Sequence, residues 1–192
     1  VFIVLATAFW LPAAILTSLL ALPVAGMHRM AALIQREQPA GFSDFVDGMR
    51  RFAGSALLLG AAALFLTVVF TTNIIGGLDT GGVFGWTLSA FALYGDIGLA
   101  MFLVAAWPIV VDPLRADEPL RARLKLAALV ILARPARMFV LTVLIALILI
   151  ISTALFAALL TVSVAFVSLV GTRYVLPVAD RLEGRRTKPA PE

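Results

Sequence analysis

The sequence predicts an all-α, polytopic transmembrane helical bundle of about five spans, and three observations lead to it. Hydrophobic residues make up 62% of the chain and charged residues only 14%, against about 25% charged in soluble domains; the mean hydropathy is +1.06. From Met138 to Thr172, between Arg137 and Arg173, no charge occurs at all. That run is roughly 35 residues long where about 20 cross a bilayer core, too many for one span and just enough for a helical hairpin. Finally, all 15 lysines and arginines fall within Arg29–Arg51, Arg115–Arg137 and Arg173–Lys188. Five spans put these three stretches on one side, which the positive-inside rule makes cytoplasmic.

The first span covers residues 1–22, with Pro12 inside it and Pro23 just after; a segment preceding Val1 is left open. Beyond Pro23 the chain stays helix-compatible and gains His28 and Arg29 as it leaves the bilayer. Gln38-Pro39-Ala40-Gly41 breaks the helix, and Ser43 with Asp44 is expected to cap the next one. Phe42, Phe45, Val46, Met49 and Phe52 share one helical face opposite Asp44, Asp47, Arg50 and Arg51, an amphipathic foot at the interface. It leads directly into the second span, 53–75, whose Ala56 and Gly60 suit close helix contact.

Gly76 to Gly82 reads as a glycine-rich turn without a basic residue. The third span, 83–111, carries Trp86 and Trp107 near its ends, as aromatic belts require, and Asp96 near its middle. Arg115, Arg121, Arg123, Lys125, Arg134 and Arg137 then alternate with leucines, predicting a basic helix docked on the cytoplasmic membrane surface. The closing hairpin is expected at 136–151 and 154–175 with its corner at Ile151-Ser152-Thr153. Residues 1–178 form one transmembrane domain; 179–192 are a basic, Pro-rich cytoplasmic tail.

Chemistry is sparse. The absence of cysteine excludes disulfides, thiolate metal sites and a cysteine nucleophile. No hydrolase elbow, zinc-protease motif, P-loop or nucleotide fingerprint occurs, so neither an enzyme nor a cofactor is expected. Asp96 is the sharpest candidate, because an acid at mid-bilayer costs about 2.5–3.5 kcal/mol and turns toward a partner or cavity. It reads either as part of a polar pathway with Thr71, Thr72 and Asn73, or as a helix-to-helix hydrogen-bonding group. His28 has no second ligand at metal spacing, so no metal is expected. Together with Arg29, Arg50, Arg51, Arg121, Arg123, Lys125 and Arg134 it forms the candidate interfacial or partner-contact set. Anionic lipid at the cytoplasmic face and other integral membrane subunits are the expected partners; nucleic acid is not, since the net charge of +4 is accounted for by topology.

Leu22-Pro23-Val24-Ala25-Gly26-Met27-His28-Arg29-Met30-Ala31-Ala32-Leu33, then Phe42-Ser43-Asp44-Phe45 and Arg50-Arg51-Phe52, resemble the YesL family of small bacterial integral membrane proteins. Leu124-Lys125-Leu126-Ala127 and Ala133-Arg134-Pro135 are similar to that family's basic helix and proline break. The resemblance implies a protein of the bacterial inner membrane associated with carbohydrate uptake through ABC transporters; the expected function is a non-enzymatic accessory or structural membrane protein packed against such a larger complex. A small oligomeric transporter or channel using Asp96 is the alternative.

Overall fold

The computed structural model describes residues 18–155 and 157–183. Among these the chain is all-helical: α1 (Ala21–Gln35), α2 (Phe42–Arg51), α3 (Ala53–Thr80), α4 (Gly82–Val110), a single 3-10 turn (Pro113–Arg115), α5 (Leu120–Ala133), α6 (Pro135–Leu155) and α7 (Ala157–Leu182). Four helices, α3, α4, α6 and α7, are long and apolar enough to cross a membrane, as a multi-pass chain requires. The first expected span lies largely outside the described residues, as does the tail from 184.

Polar residues expected to break helices are instead absorbed by them. Thr80 Oγ1 donates to the Gly76 carbonyl at 2.7 Å and Thr153 Oγ1 to the Leu149 carbonyl at 2.7 Å, so each hydroxyl is satisfied within its own helix. The expected turn at Gly76–Gly82 therefore contracts to Gly81 and Gly82, both at φ 65°, where glycine alone is unstrained. The expected corner at 151–153 is likewise helical, since α6 runs to Leu155 and α7 begins at Ala157. Ser152 and Ser163 hydrogen-bond to each other across the two helices.

At the other end of the hairpins two boundaries also differ from expectation. Gly41, not Ser43, precedes α2, and Asp44 accepts the Gly41 N–H at 2.8 Å, a first-turn acid reaching back to an orphan donor. Phe52 leaves helical geometry and separates α2 from α3. Pro135 opens α6, where its missing N–H costs nothing.

The core is concentrated at the end of the bundle that holds the basic stretches. Ile109, Val130, Met138, Val175 and Ala179 meet there at 0% exposure, joining α4, α5, α6 and α7. A second cluster of Ala21, Ala25, Phe52, Ala56, Val110 and Val111 seats α1 against α3 and α4. The basic helix α5 is thus a structural member of the bundle, burying Arg123, Leu126, Ala127 and Val130, not a helix laid wholly on its surface. Away from this end, α3 and α4 run on together as a hairpin that leaves most of its surface outside the bundle.

Glycine sets how close that hairpin can be. A Cβ on Gly77 would stand 2.6 Å from the Gly85 carbonyl oxygen, and one on Gly85 would collide with the carbonyl of Gly77. Ser89 Oγ crosses the same contact to donate to the Ile74 carbonyl at 2.9 Å. Gly77→Leu is expected to force the helices apart and destabilise the protein by about 1–3 kcal/mol, whereas Gly54→Ala, where a Cβ meets nothing within 4 Å, leaves stability unchanged or slightly higher. Thermal unfolding in detergent distinguishes the two.

Candidate functional site

The most concentrated chemistry in the molecule is a charge network where three helix ends meet. Arg36 stands at the C-cap of α1, Asp112 and Arg115 bracket the 3-10 turn after α4, and Asp180 with Glu183 close α7. The local chain explains the geometry: Asp112 Oδ1 accepts the Leu114 N–H at 3.2 Å, an Asx-type turn that Pro113 pre-sets. That turn aims Arg115 inward, at 0% exposure.

Two guanidinium groups then face three carboxylates. Arg36 donates to Asp180 at 2.8 Å and to Asp112 at 2.7 Å. Arg115 donates to Asp180 at 2.7 Å, to Glu183 at 2.8 and 3.2 Å, and to Asp112. Asp112 is at 0% exposure and Asp180 at 4%. Burial alone lowers the pKa of both arginines, yet the hydrogen bonds to Asp180, shared with Asp112 for Arg36 and Glu183 for Arg115, outweigh it and hold both above the ordinary value. Such a network cannot be dismantled one group at a time without burying an uncompensated charge.

Beside it lies a second set of buried basic groups. His28 is 7% exposed and parallel to Trp107, ring centroids 6.1 Å apart and planes within 4°; burial pushes its pKa down to about 3. Arg29 and Arg123 place their guanidinium carbons 5.8 and 5.9 Å from the centroid of the same ring, Phe52. Arg123 also donates to the Val110 carbonyl at the end of α4, and Arg29 approaches Asp47 only to 4.0 Å.

The expected sites are dispersed by the fold. Asp96 is half-buried on α4, and no hydrogen bond or ion pair holds it among the described residues. Thr72 Oγ1 donates to the Val68 carbonyl at 2.8 Å and Asn73 Nδ2 to the Val69 carbonyl at 2.7 Å, while Thr71 is exposed. With Ser89 bonded to Ile74 across the hairpin, Asn73 falls level with about residue 90, roughly 9 Å along the axis from Asp96. Among the described residues no hydrogen bond joins Asp96 to Thr71, Thr72 or Asn73. Of the expected contact set, Arg50, Arg51, Arg121 and Lys125 are exposed and Arg134 is half-buried, but His28, Arg29 and Arg123 are interior.

Asp112, Arg115, Asp180 and Glu183 were not among the expected functional residues. One signal was present for two of them: Asp180 and Glu183 occupy the last turn of a helix, where the macrodipole disfavours acids, so their position demands a cation. Among the described residues no cluster of three or more metal-ligating side chains occurs. Comparison with protein-family models, curated proteins and solved structures finds no match.

Two outcomes follow from this geometry. Arg115→Met leaves three carboxylates around one arginine and is expected to cost about 3–5 kcal/mol in detergent unfolding; exposed Arg121→Met is expected to change stability by under about 0.5 kcal/mol. His28 is neutral in the folded chain, whereas the unfolded chain takes up its proton near pH 6.5. Stability therefore falls as pH drops below 6.5, by up to about 1.4 kcal/mol per pH unit, and His28→Phe is expected to flatten that slope in unfolding curves between pH 7 and 5.

Proposed function

We propose that the protein is a non-enzymatic accessory or structural integral membrane protein that packs its helices against a larger membrane assembly. The observation that carries this reading is the uneven burial of the four apolar helices. Within the apolar windows of α3 and α4 only 11% and 17% of residues are buried, against 44% in α7. The hairpin exposes Trp86, Phe91 and Tyr94 at 63%, 73% and 73% and carries Asp96 without a hydrogen-bond or ion-pair partner among the described residues. Lipid chains solvate the aromatics but offer Asp96 no hydrogen bond, whereas a neighbouring transmembrane chain supplies both.

The basic end of the bundle faces the cytoplasm on this reading, because it gathers the positively charged stretches. Anionic headgroups and the exposed Arg50, Arg51, Arg121 and Lys125 then meet at one surface. The YesL resemblance suggests a carbohydrate ABC uptake system in the bacterial inner membrane as the assembly. Affinity purification from native membranes in mild detergent is expected to recover at least one further integral membrane subunit, with recovery reduced by Asp96→Asn. A monodisperse lone chain under those conditions contradicts the proposal.

A second reading, a small oligomeric transporter or channel, is favoured by the mid-span position of Asp96. Flux in proteoliposomes that Asp96→Asn abolishes would support it; no flux in the parent removes it.

A further inference from the structure

Four arginines are drawn into the basic end of this bundle, and they divide into two kinds. Arg36, through Nη1 and Nη2, and Arg115 donate to three carboxylates, although Nε of Arg36 carries no hydrogen bond among the described residues. Arg29 and Arg123, at 8% and 6% exposure, are set beside a ring instead, and among the described residues Nε and Nη1 of Arg29 and Nε of Arg123 carry no hydrogen bond. Asp47 stands 4.0 Å from Arg29 Nη2, beyond hydrogen-bond length. Burial lowers the pKa of Arg123, with Glu118 opposing the shift, and its Nε has no acceptor among the described residues.

Phe52 is what the two share, and it explains why the donors stay free. A cation–π contact engages the charge of a guanidinium through the ring quadrupole and consumes none of its N–H groups. Each arginine is therefore held in place by the aromatic ring while at least one donor lacks an acceptor. Unsatisfied donors of a buried charged group are costly, and the acceptor that fits a guanidinium edge best after a carboxylate is a phosphate.

Depth in the membrane points the same way. Phe52 immediately precedes the apolar helix α3, and Val110, whose carbonyl Arg123 caps, is the last residue of α4. Both residues mark the same boundary of two membrane-length helices, the level at which a bilayer presents its phosphates. Long arginine stems reach such a layer by swinging their heads outward, so no preformed cavity is required.

We propose that Arg29 and Arg123 turn their heads outward to bind a phosphate oxyanion at the membrane boundary, and that the Phe52 ring keeps them at that level while no oxyanion is bound. Exposed Arg51 and Arg121 flank the same region and add long-range attraction without belonging to the site.

The test uses the full chain in neutral detergent, titrated with dioleoylphosphatidylglycerol, with dioleoylphosphatidylcholine or with inorganic phosphate. Melting temperature and lipid retained in native mass spectrometry are read together. Phosphatidylglycerol is expected to raise the melting temperature and remain bound, with affinity about tenfold weaker in Arg29→Gln and in Arg123→Gln and unchanged in Arg121→Gln. Equal stabilisation by inorganic phosphate, lost in the same two variants, supports the same oxyanion chemistry with a soluble source. An equal loss in Arg121→Gln reduces the effect to bulk surface charge and overturns the proposal. Should the glutamine variants fail to fold, the unaltered chain decides, because no preference for phosphatidylglycerol over phosphatidylcholine and no response to inorganic phosphate overturn it as well.

Discussion

Charge taken out of water has to be matched at once, and in this protein that requirement fixes where three distant parts of the chain must meet. Arg115 is fully enclosed and bonded to carboxylates of both its own turn and α7, while Arg36 bridges the same carboxylates from the end of α1. Hydrophobic packing alone does not specify which helix end sits beside which, since Leu, Val and Ala surfaces are interchangeable in a lipid environment. The network does specify it. Net stability from buried ion pairs is often small; we infer that this one contributes the register in which Ile109, Val130, Met138 and Val175 pack against one another.

That register has consequences for the rest of the bundle. With the basic end clamped, α1 is pressed onto α3 and α4 through Ala21, Ala25 and Ala56, and His28 is enclosed beside Trp107. Stability is thus gathered at one membrane boundary. The α3–α4 hairpin beyond it depends on its own glycine and serine contacts, which leaves its flanks free to meet lipid or another chain.

The spanning helices were legible in the sequence because lipid imposes a length and an apolarity that few other constraints mimic. Their ends were less so. Thr80, Thr153 and Ser152 read as turn residues, yet in a membrane helix each finds a partner in a carbonyl or a facing serine, so polarity no longer marks a break. The charge network was hidden for a different reason: its partners lie 65 and 144 residues apart, and every arginine in it already had a sufficient explanation as a topology signal. Counting charges by side explained where the arginines belong without revealing that some face inward. Asp96, the residue most conspicuous by hydropathy, has no hydrogen-bond or ion-pair partner among the described residues; local sequence can flag an expensive group but not what answers it.

The clamping role of the network is tested most directly by a double-mutant cycle on Arg36 and Asp180, measured as unfolding free energy in detergent with Arg36→Met, Asp180→Leu and the pair. If these groups hold the helix ends together as one unit, each single change is strongly destabilising, the double change restores part of the loss, and the coupling is about 1–3 kcal/mol. Losses that add to within about 0.5 kcal/mol would mean that the two groups do not act on each other, and that packing alone sets the register of the bundle.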